Sequence, residues 1–257
     1  MTFADHAIPT SRNRLLAALP PEDLARLQPQ LEVVDLPLRK VLSAPGKPIT
    51  AVYFPETGYV SMLAYLEKGD VIEVGVVGNE GMVGLPILLG DDSDDCEAMV
   101  QNPGTALRMD AAAFRAELDH TPAFRTLLLR SALFQHRQVA RTAACNGRHC
   151  IDQRLARWLL IAHDRAEGGS FAMTHESLAI MLGVRRAGIT VAAGQFQAAG
   201  LIHYERGRME VTDRPGLEAA ACECYGVARR ALDRLFGSKV EAQMCTAERK
   251  SATGAAA

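Results

Sequence analysis

The sequence predicts an α+β chain, and three observations carry that reading. Between Leu31 and Met109 the apolar runs are short, β-branched and separated by turn residues. From Asp110 onward the apolar period becomes helical. Residues 174–211 read as helix, glycine-containing turn, helix, and two short strands about a tight turn. With 257 residues, 48% hydrophobic and 23% charged, there is ample material for a core. Apolar runs stay well short of the roughly 18 residues of a membrane span. The start, MTFADHAIPTSRNR, has no apolar stretch of signal-peptide length, so a cytoplasmic location without membrane contact is expected. Six cysteines without repeating spacing do not form a secreted disulfide framework.

Arg12 to Gln30 reads as short helical turns, with Leu15, Leu16 and Leu19 on one face and Pro20-Pro21-Glu22-Asp23 starting a second helix. Strands are expected at 31–34, 52–54, 59–63, 71–77 and 97–100, divided by turn residues such as Lys68-Gly69-Asp70 and Asn102-Pro103-Gly104. Many short strands at near-regular spacing suggest a sandwich or barrel. Gly81 to Leu89 interrupts it with a single helical turn. Asp110 is placed to cap a helix over 111–118, and Thr121-Pro122 opens a longer helix to about Ala144. Its stripe is partly polar, which fits either a packed hairpin or a dimer seam. Asn146-Gly147 reads as a break and as the domain boundary, followed by an amphipathic helix over 151–165.

In 174–211, Thr174 is the expected N-cap of the first helix, and Gly183-Val184 makes the turn. Arg185 to Ala199 is the second helix, and strands at 201–204 and 209–211 enclose a turn. This is the layout of a winged helix-turn-helix. The second helix of such a unit enters the major groove of duplex DNA, and its first residues meet base edges. Those residues are Arg185 and Arg186, and Arg reads guanine O6 and N7 bidentately. Thr190 lies one turn further along. Thr174 and His175 stand where the first helix crosses the phosphate backbone, and Arg206 and Arg208 stand at the wing. The net charge of −2 is unevenly spread: residues 1–144 hold 13 Lys/Arg against 18 Asp/Glu, and residues 145–236 hold 12 against 10. No nucleophile–base constellation or P-loop is present, so no enzymatic activity is expected. Residues 31–109 contain no histidine, which excludes the metal triad of a cupin-like enzyme.

Over about residues 12–225 the chain resembles the catabolite activator/FNR (Crp/Fnr) family of transcription regulators. The resemblance rests on Leu15-Leu16-Ala17-Ala18-Leu19-Pro20, Ala44-Pro45-Gly46, Val52-Tyr53-Phe54-Pro55, Gly78-Asn79-Glu80-Gly81-Met82-Val83-Gly84, Arg154-Leu155-Ala156-Arg157-Trp158-Leu159-Leu160, and Thr174 to Ile202. It implies a cyclic-nucleotide-binding-like β jelly roll over 12–120, a dimerisation helix over 121–145 and a winged helix-turn-helix over 146–236. Residues 237–257 are expected to be a flexible tail. It also implies a cytoplasmic homodimer on a near-palindromic DNA site, with RNA polymerase as a further partner. Arg186 matches the family's base-reading Arg, Ala187 replaces the usual Glu, and Val191 replaces a second Arg.

The family's cyclic-nucleotide site uses an Arg-Ser/Thr-Ala run and a short helix N-terminus. Here that helix is expected at Glu80-Gly81-Met82-Val83-Gly84, but Cys96 and Glu97 stand at the Arg and Ser/Thr. The preceding Asp91-Asp92-Ser93-Asp94-Asp95 repels a phosphate, so cyclic AMP is not the expected effector. A different effector would sit among Met62, Leu63, Glu80, Gly81, Met82, Val83 and Cys96. With no cysteine before Cys96, the family's N-terminal iron–sulfur cluster is unsupported, and no cofactor is expected. Cys145 and Cys150 flank the hinge as a candidate redox pair beside His149. Their spacing is not a zinc spacing and no second pair completes four ligands, so no metal is expected.

Overall fold

The computed structural model describes residues 11–237. Two short helices open the chain, α1 (Arg14–Ala17) and α2 (Pro21–Leu27). Asn13 caps the first through its side-chain oxygen and fixes it to the sheet by donating to Pro55 O and Gly81 O. Seven strands follow: β1 (Glu32–Leu36), β2 (Val41–Ser43), β3 (Ala51–Pro55), β4 (Tyr59–Tyr65), β5 (Val71–Val77), β6 (Cys96–Asn102) and β7 (Gly104–Asp110). They form two antiparallel sheets, ordered β1-β7-β3 and β2-β6-β4-β5. Leu36 and Ala106 from one sheet meet Val60, Val77, Ala98 and Val100 from the other, which is the core of a sandwich.

The helical turn expected within Gly81–Leu89 is α3 (Leu85–Leu89), not residues 80–84. Residues 80–84 instead turn and bridge Val83 to Tyr53. Strands β2 and β7 were not among the expected strands. Leu, Ala and Met in β7 carry little β signal, and the strand starts at the glycine of a Pro-Gly pair that reads as a turn. Gly104 is required there, because a Cβ would lie 2.2 Å from Thr57 O.

Helix α4 (Ala111–His120) packs on β3 and β7 of the first sheet, and α5 (Pro122–Arg148) runs along β5 of the second. Phe54, Phe114 and Phe124 pack ring against ring beneath them, with centroids 5.8 to 6.5 Å apart. Asp110 holds the N-cap position of α4 without a cap bond; its carboxylate takes the Arg108 guanidinium instead.

The break expected at Asn146-Gly147 does not occur, and α5 runs on to Arg148. A mid-helix glycine costs about 1 kcal/mol relative to Ala. Three contacts offset that cost. Cys145 is fully buried, Asn146 Oδ1 accepts from Arg154 Nε at 3.1 Å, and His149 N–H still reaches Cys145 O at 3.0 Å.

The back half holds α6 (Ile151–His163), β8 (Ser170–Ala172), α7 (His175–Leu182), α8 (Arg186–Ala198), β9 (Ile202–Glu205), β10 (Arg208–Val211) and α9 (Arg214–Ala220). A last helix over residues 224–237 returns along α5 and sets Leu235 into the core beneath α4 and α5. The expected tail 237–257 lies, apart from Gly237, outside the described residues. Strand β8, too short to be read from sequence, makes the wing a three-stranded sheet ordered β8-β10-β9. Among the described residues no single helix is long and apolar enough to cross a membrane.

The two halves share packing. Tyr59, Leu63 and Val76 of the sandwich join the cluster that holds Leu155, Trp158, Leu178 and Phe196. Gly183 sits against Ile72 of β5, where a Cβ would come 2.7 Å from Ile72 Cδ1.

Candidate nucleic-acid interface and neighbouring sites

Thr174 caps α7 as expected, its hydroxyl accepting the Ser177 N–H at 3.0 Å. Gly183, at φ +59, closes α7 in the left-handed conformation. The chain then bends by 113° into α8, within the usual range of a helix-turn-helix. Ile189, Ala192, Ala193 and Phe196 hold α8 to the core. The opposite face presents Arg186, Ala187, Thr190 and Val191 to solvent. Arg185 is the exposed N-cap residue, with no side-chain cap bond. The Arg186 side chain is 69% exposed, and Glu176 lies 3.8 Å from its Nε. Two cations at a helix N-terminus oppose the helix dipole. At the wing, Arg206 and Gly207 both adopt positive φ, the requirement of a two-residue hairpin turn. Arg206 is 91% exposed, with Glu205 3.5 Å away.

Three of the sequence-identified residues hold the unit together. His175 stacks on Tyr204 of the wing, centroids 4.4 Å apart and 20° from parallel. Its Nδ1 lies 3.2 Å from the Thr190 hydroxyl, which itself donates to Arg186 O at 3.1 Å. One ring thus joins the first helix, the second helix and the wing. Burial, and then the Arg186 charge, lower the His175 pKa. Arg208 turns toward β8, donating from Nη2 to Ser170 Oγ at 2.8 Å.

In the sandwich, the residues expected around an effector are not gathered into one cavity. Leu63, Met82 and Val83 belong to three different packed clusters, and Met62 lies against the third. Gly81 packs on Val77 and Gln135, and Cys96 is half-buried at the start of β6. Burial, then Asp94 and Asp95, push the Cys96 thiol pKa up. Glu80 is 3% exposed and accepts from Arg165 at 2.6 and 3.0 Å, so its carboxylate is committed to the domain interface. The acidic stretch is built of turns. Asp91 Oδ1 accepts the N–H groups of Asp92 and Ser93, which holds its carboxyl below the usual range. Ile49 N–H donates to Asp92 O at 2.7 Å, tying the loop to the sandwich.

A second buried carboxyl was missed by the sequence reading. Glu73 of β5 accepts from Trp158 Nε1 at 2.6 Å and pairs with the Ser61 hydroxyl at 2.5 Å. Burial pushes its pKa up to about 7, against the hydrogen bonds and the nearby Arg157 and Arg165. In isolation Glu73 reads as an ordinary polar position on a strand. Only the fold brings it to the tryptophan 85 residues away.

The expected Cys145–Cys150 pair is not formed, since Cys145 is buried on α5 and Cys150 is exposed. The partner of Cys145 is Cys222, with the sulfurs 3.6 Å apart. Cys224 Sγ lies 3.7 Å from His149 Nδ1. The second pair that the sequence reading found wanting is therefore Cys222-x-Cys224. Its only signals were the helical i, i+4 spacing of Cys145 and His149 and a distant Cys-x-Cys. Burial raises all three thiol pKa values.

Residues 153–220 match the family model of the Crp-like helix-turn-helix domain, and residues 33–121 match that of the cyclic nucleotide-binding domain. Among curated proteins none matches the chain. Solved structures share the fold at low identity. FixK2 from Bradyrhizobium japonicum has a TM-score of 0.65 at 16% identity, over 75% of this chain and 98% of that one. The CRP-family transcriptional regulator TTHB099 from Thermus thermophilus has 0.61 at 20%, over 73% and 96%. The c-di-GMP-responsive global regulator CLP from Xanthomonas campestris has 0.57 at 17%, over 75% and 99%.

Proposed function

Because the chain belongs to the Crp/Fnr family of transcription regulators, we propose that it acts as a homodimer on a near-palindromic DNA site, without enzymatic activity of its own. One observation carries the reading: Arg185 and Arg186 are exposed at the start of α8, and Arg206 is exposed at the wing. Glu176 and Glu205 are exposed partners at 3.8 and 3.5 Å, a kind of ion pair worth at most about 1 kcal/mol, so DNA displaces them readily. Arg186 reads a guanine. The exposed Val191 and Ala187 suit contact with a thymine methyl rather than a polar base edge. The expected site therefore differs from that of relatives with Glu and Arg at these positions. Thr174 and Arg206 take phosphates, whereas His175, Thr190 and Arg208 hold the shape of the unit.

The dimer seam is α5, where Leu129, Leu133 and Val139 are each 44 to 47% exposed on one helix. The regulator is cytoplasmic and works with RNA polymerase. Its effector, where there is one, is not cyclic AMP, because Cys96 replaces the phosphate-binding Arg and the Asp91–Asp95 loop is anionic. Millimolar cyclic AMP is expected to leave the melting temperature unchanged, and a rise of several degrees contradicts this part of the reading.

Arg186→Ala tests the DNA contact. It is expected to weaken binding to a selected site by about 1–3 kcal/mol and to relax preference at one base pair, leaving binding to random duplex nearly unchanged. Equal weakening on both would make Arg186 a phosphate contact only.

A further inference from the structure

Four side chains unrelated to DNA reading converge where α5 ends. Cys145 lies in the last turn of α5 and His149 is its C-cap residue, while Cys222 and Cys224 flank Glu223 just after α9. Their ligand atoms, three sulfurs and one ring nitrogen, all lie within 4.8 Å of one another. We propose that Cys145, His149, Cys222 and Cys224 form a structural zinc site that ties the end of α5 to the segment leading into the last helix.

Two of the six ligand–ligand separations match the edges of a zinc tetrahedron, and the rest lie within 4.8 Å. With Zn–S about 2.3 Å and Zn–N about 2.0 Å, its edges are about 3.5–3.8 Å. The Cys145–Cys222 and Cys224–His149 separations are 3.6 and 3.7 Å. The histidine is also oriented for ligation. Nδ1 faces the sulfurs, and Nε2 lies 3.3 Å from the Glu223 carboxylate. A metal-bound imidazole commonly donates its other N–H to a carboxylate, which fixes the ring. Cys145, Cys222 and Cys224 are each at most 4% exposed, and they form a small cluster of their own. Three protein sulfurs and one nitrogen fill four positions, so no coordination site is left open for substrate and the role is structural. Loading converts three thiols to thiolates and releases their three protons. The resulting site carries one net negative charge, and the Arg154 and Arg157 guanidinium groups lie close enough to interact with Cys145.

The full-length protein, purified without chelator from zinc-supplemented cells, is expected to hold one zinc per chain by elemental analysis. Exchange into Co2+ should give the intense visible absorption of a tetrahedral, thiolate-rich centre. A variant with Cys96, Cys150 and Cys245 all replaced by Ser should keep both signals. Cys222→Ser and His149→Gln should lose or weaken them, at least tenfold in metal affinity. The wild-type measurements do not depend on these variants folding. Two results would overturn the proposal: wild-type protein that binds neither zinc nor cobalt, or a Cys145–Cys222 disulfide found by peptide mass spectrometry in protein made under reducing conditions.

Discussion

Glu73 occupies β5 with its carboxyl wholly buried between Ser61 of the sandwich and Trp158 of α6. Burial dominates its chemistry and raises its pKa from 4.5 to about 7. Protonated, it donates to the Ser61 hydroxyl while still accepting from the indole. Arg157, Arg165 and the fully buried Tyr59 are the other titratable groups that sense it. A pKa raised on folding favours the folded state fully below the unfolded value, and that advantage is lost as pH rises through the folded value. From this group, stability is therefore expected to fall between pH 4.5 and about 7, by about 3 kcal/mol at about 1.4 kcal/mol per pH unit. Glu73→Gln keeps an acceptor for Trp158 and a donor for Ser61 without the charge. It should remove that slope and leave the variant more stable than wild type at pH 8. Trp158 is the chain's single tryptophan, so its fluorescence during urea unfolding reads both effects directly. A wild-type slope that survives in Glu73→Gln would assign the pH dependence elsewhere.

The turn between α7 and α8 shows how an element is specified. Gly183 takes φ +59, where an L side chain is strained, and its own N–H and that of Val184 return to the end of α7. Gly183→Ala should cost about 1–2 kcal/mol in backbone strain. The added Cβ also pushes on Ile72, although only on the movable end of that side chain. A melting temperature lower by a few degrees is expected, and an unchanged one would show that the turn tolerates the side chain. Such punctuation is what made this region readable from sequence. Thr174, Gly183 and Gly200 mark the helix ends by local chemistry, and they sit where the pattern put them. Asn146-Gly147 misled because tertiary contacts, chiefly buried Cys145 and the Arg154–Asn146 bond, outweigh one glycine's preference. Residues 80–84 misled because the family pattern places a helix where this chain forms a bridge to β3, and the helix comes one step later. Strands β7 and β8 carried too little β-branched signal to be seen. The Glu80–Arg165 and Glu73–Trp158 links each join positions 85 residues apart with no local pattern to encode them, and the two halves of the cysteine–histidine grouping, each locally visible, are brought together only by the fold.

Across the molecule, the β sandwich and the helix-turn-helix unit meet over a common apolar cluster, with two polar links set into it. The Glu80–Arg165 ion pair is nearly dry, with side chains 4% and 8% exposed, and removing one partner of such a pair typically costs about 3–5 kcal/mol. The last helix closes the arrangement by returning to the core of the front domain, where Phe236 lies under the Arg14 guanidinium at 4.2 Å. This packing fixes α7 against β5 and leaves the start of α8 facing solvent, so Arg185 and Arg186 stay exposed while the domains are docked. The protein is accordingly expected to bind its site with no added ligand. The most direct test is selection of genomic fragments by the purified full-length protein at about 0.15 M salt, where non-specific phosphate binding is weakened. The predicted result is enrichment of a near-palindrome whose half-sites lie about one helical turn apart, each with a guanine that Arg186→Ala ceases to require. Fragments recovered no more often than in the starting pool would contradict it.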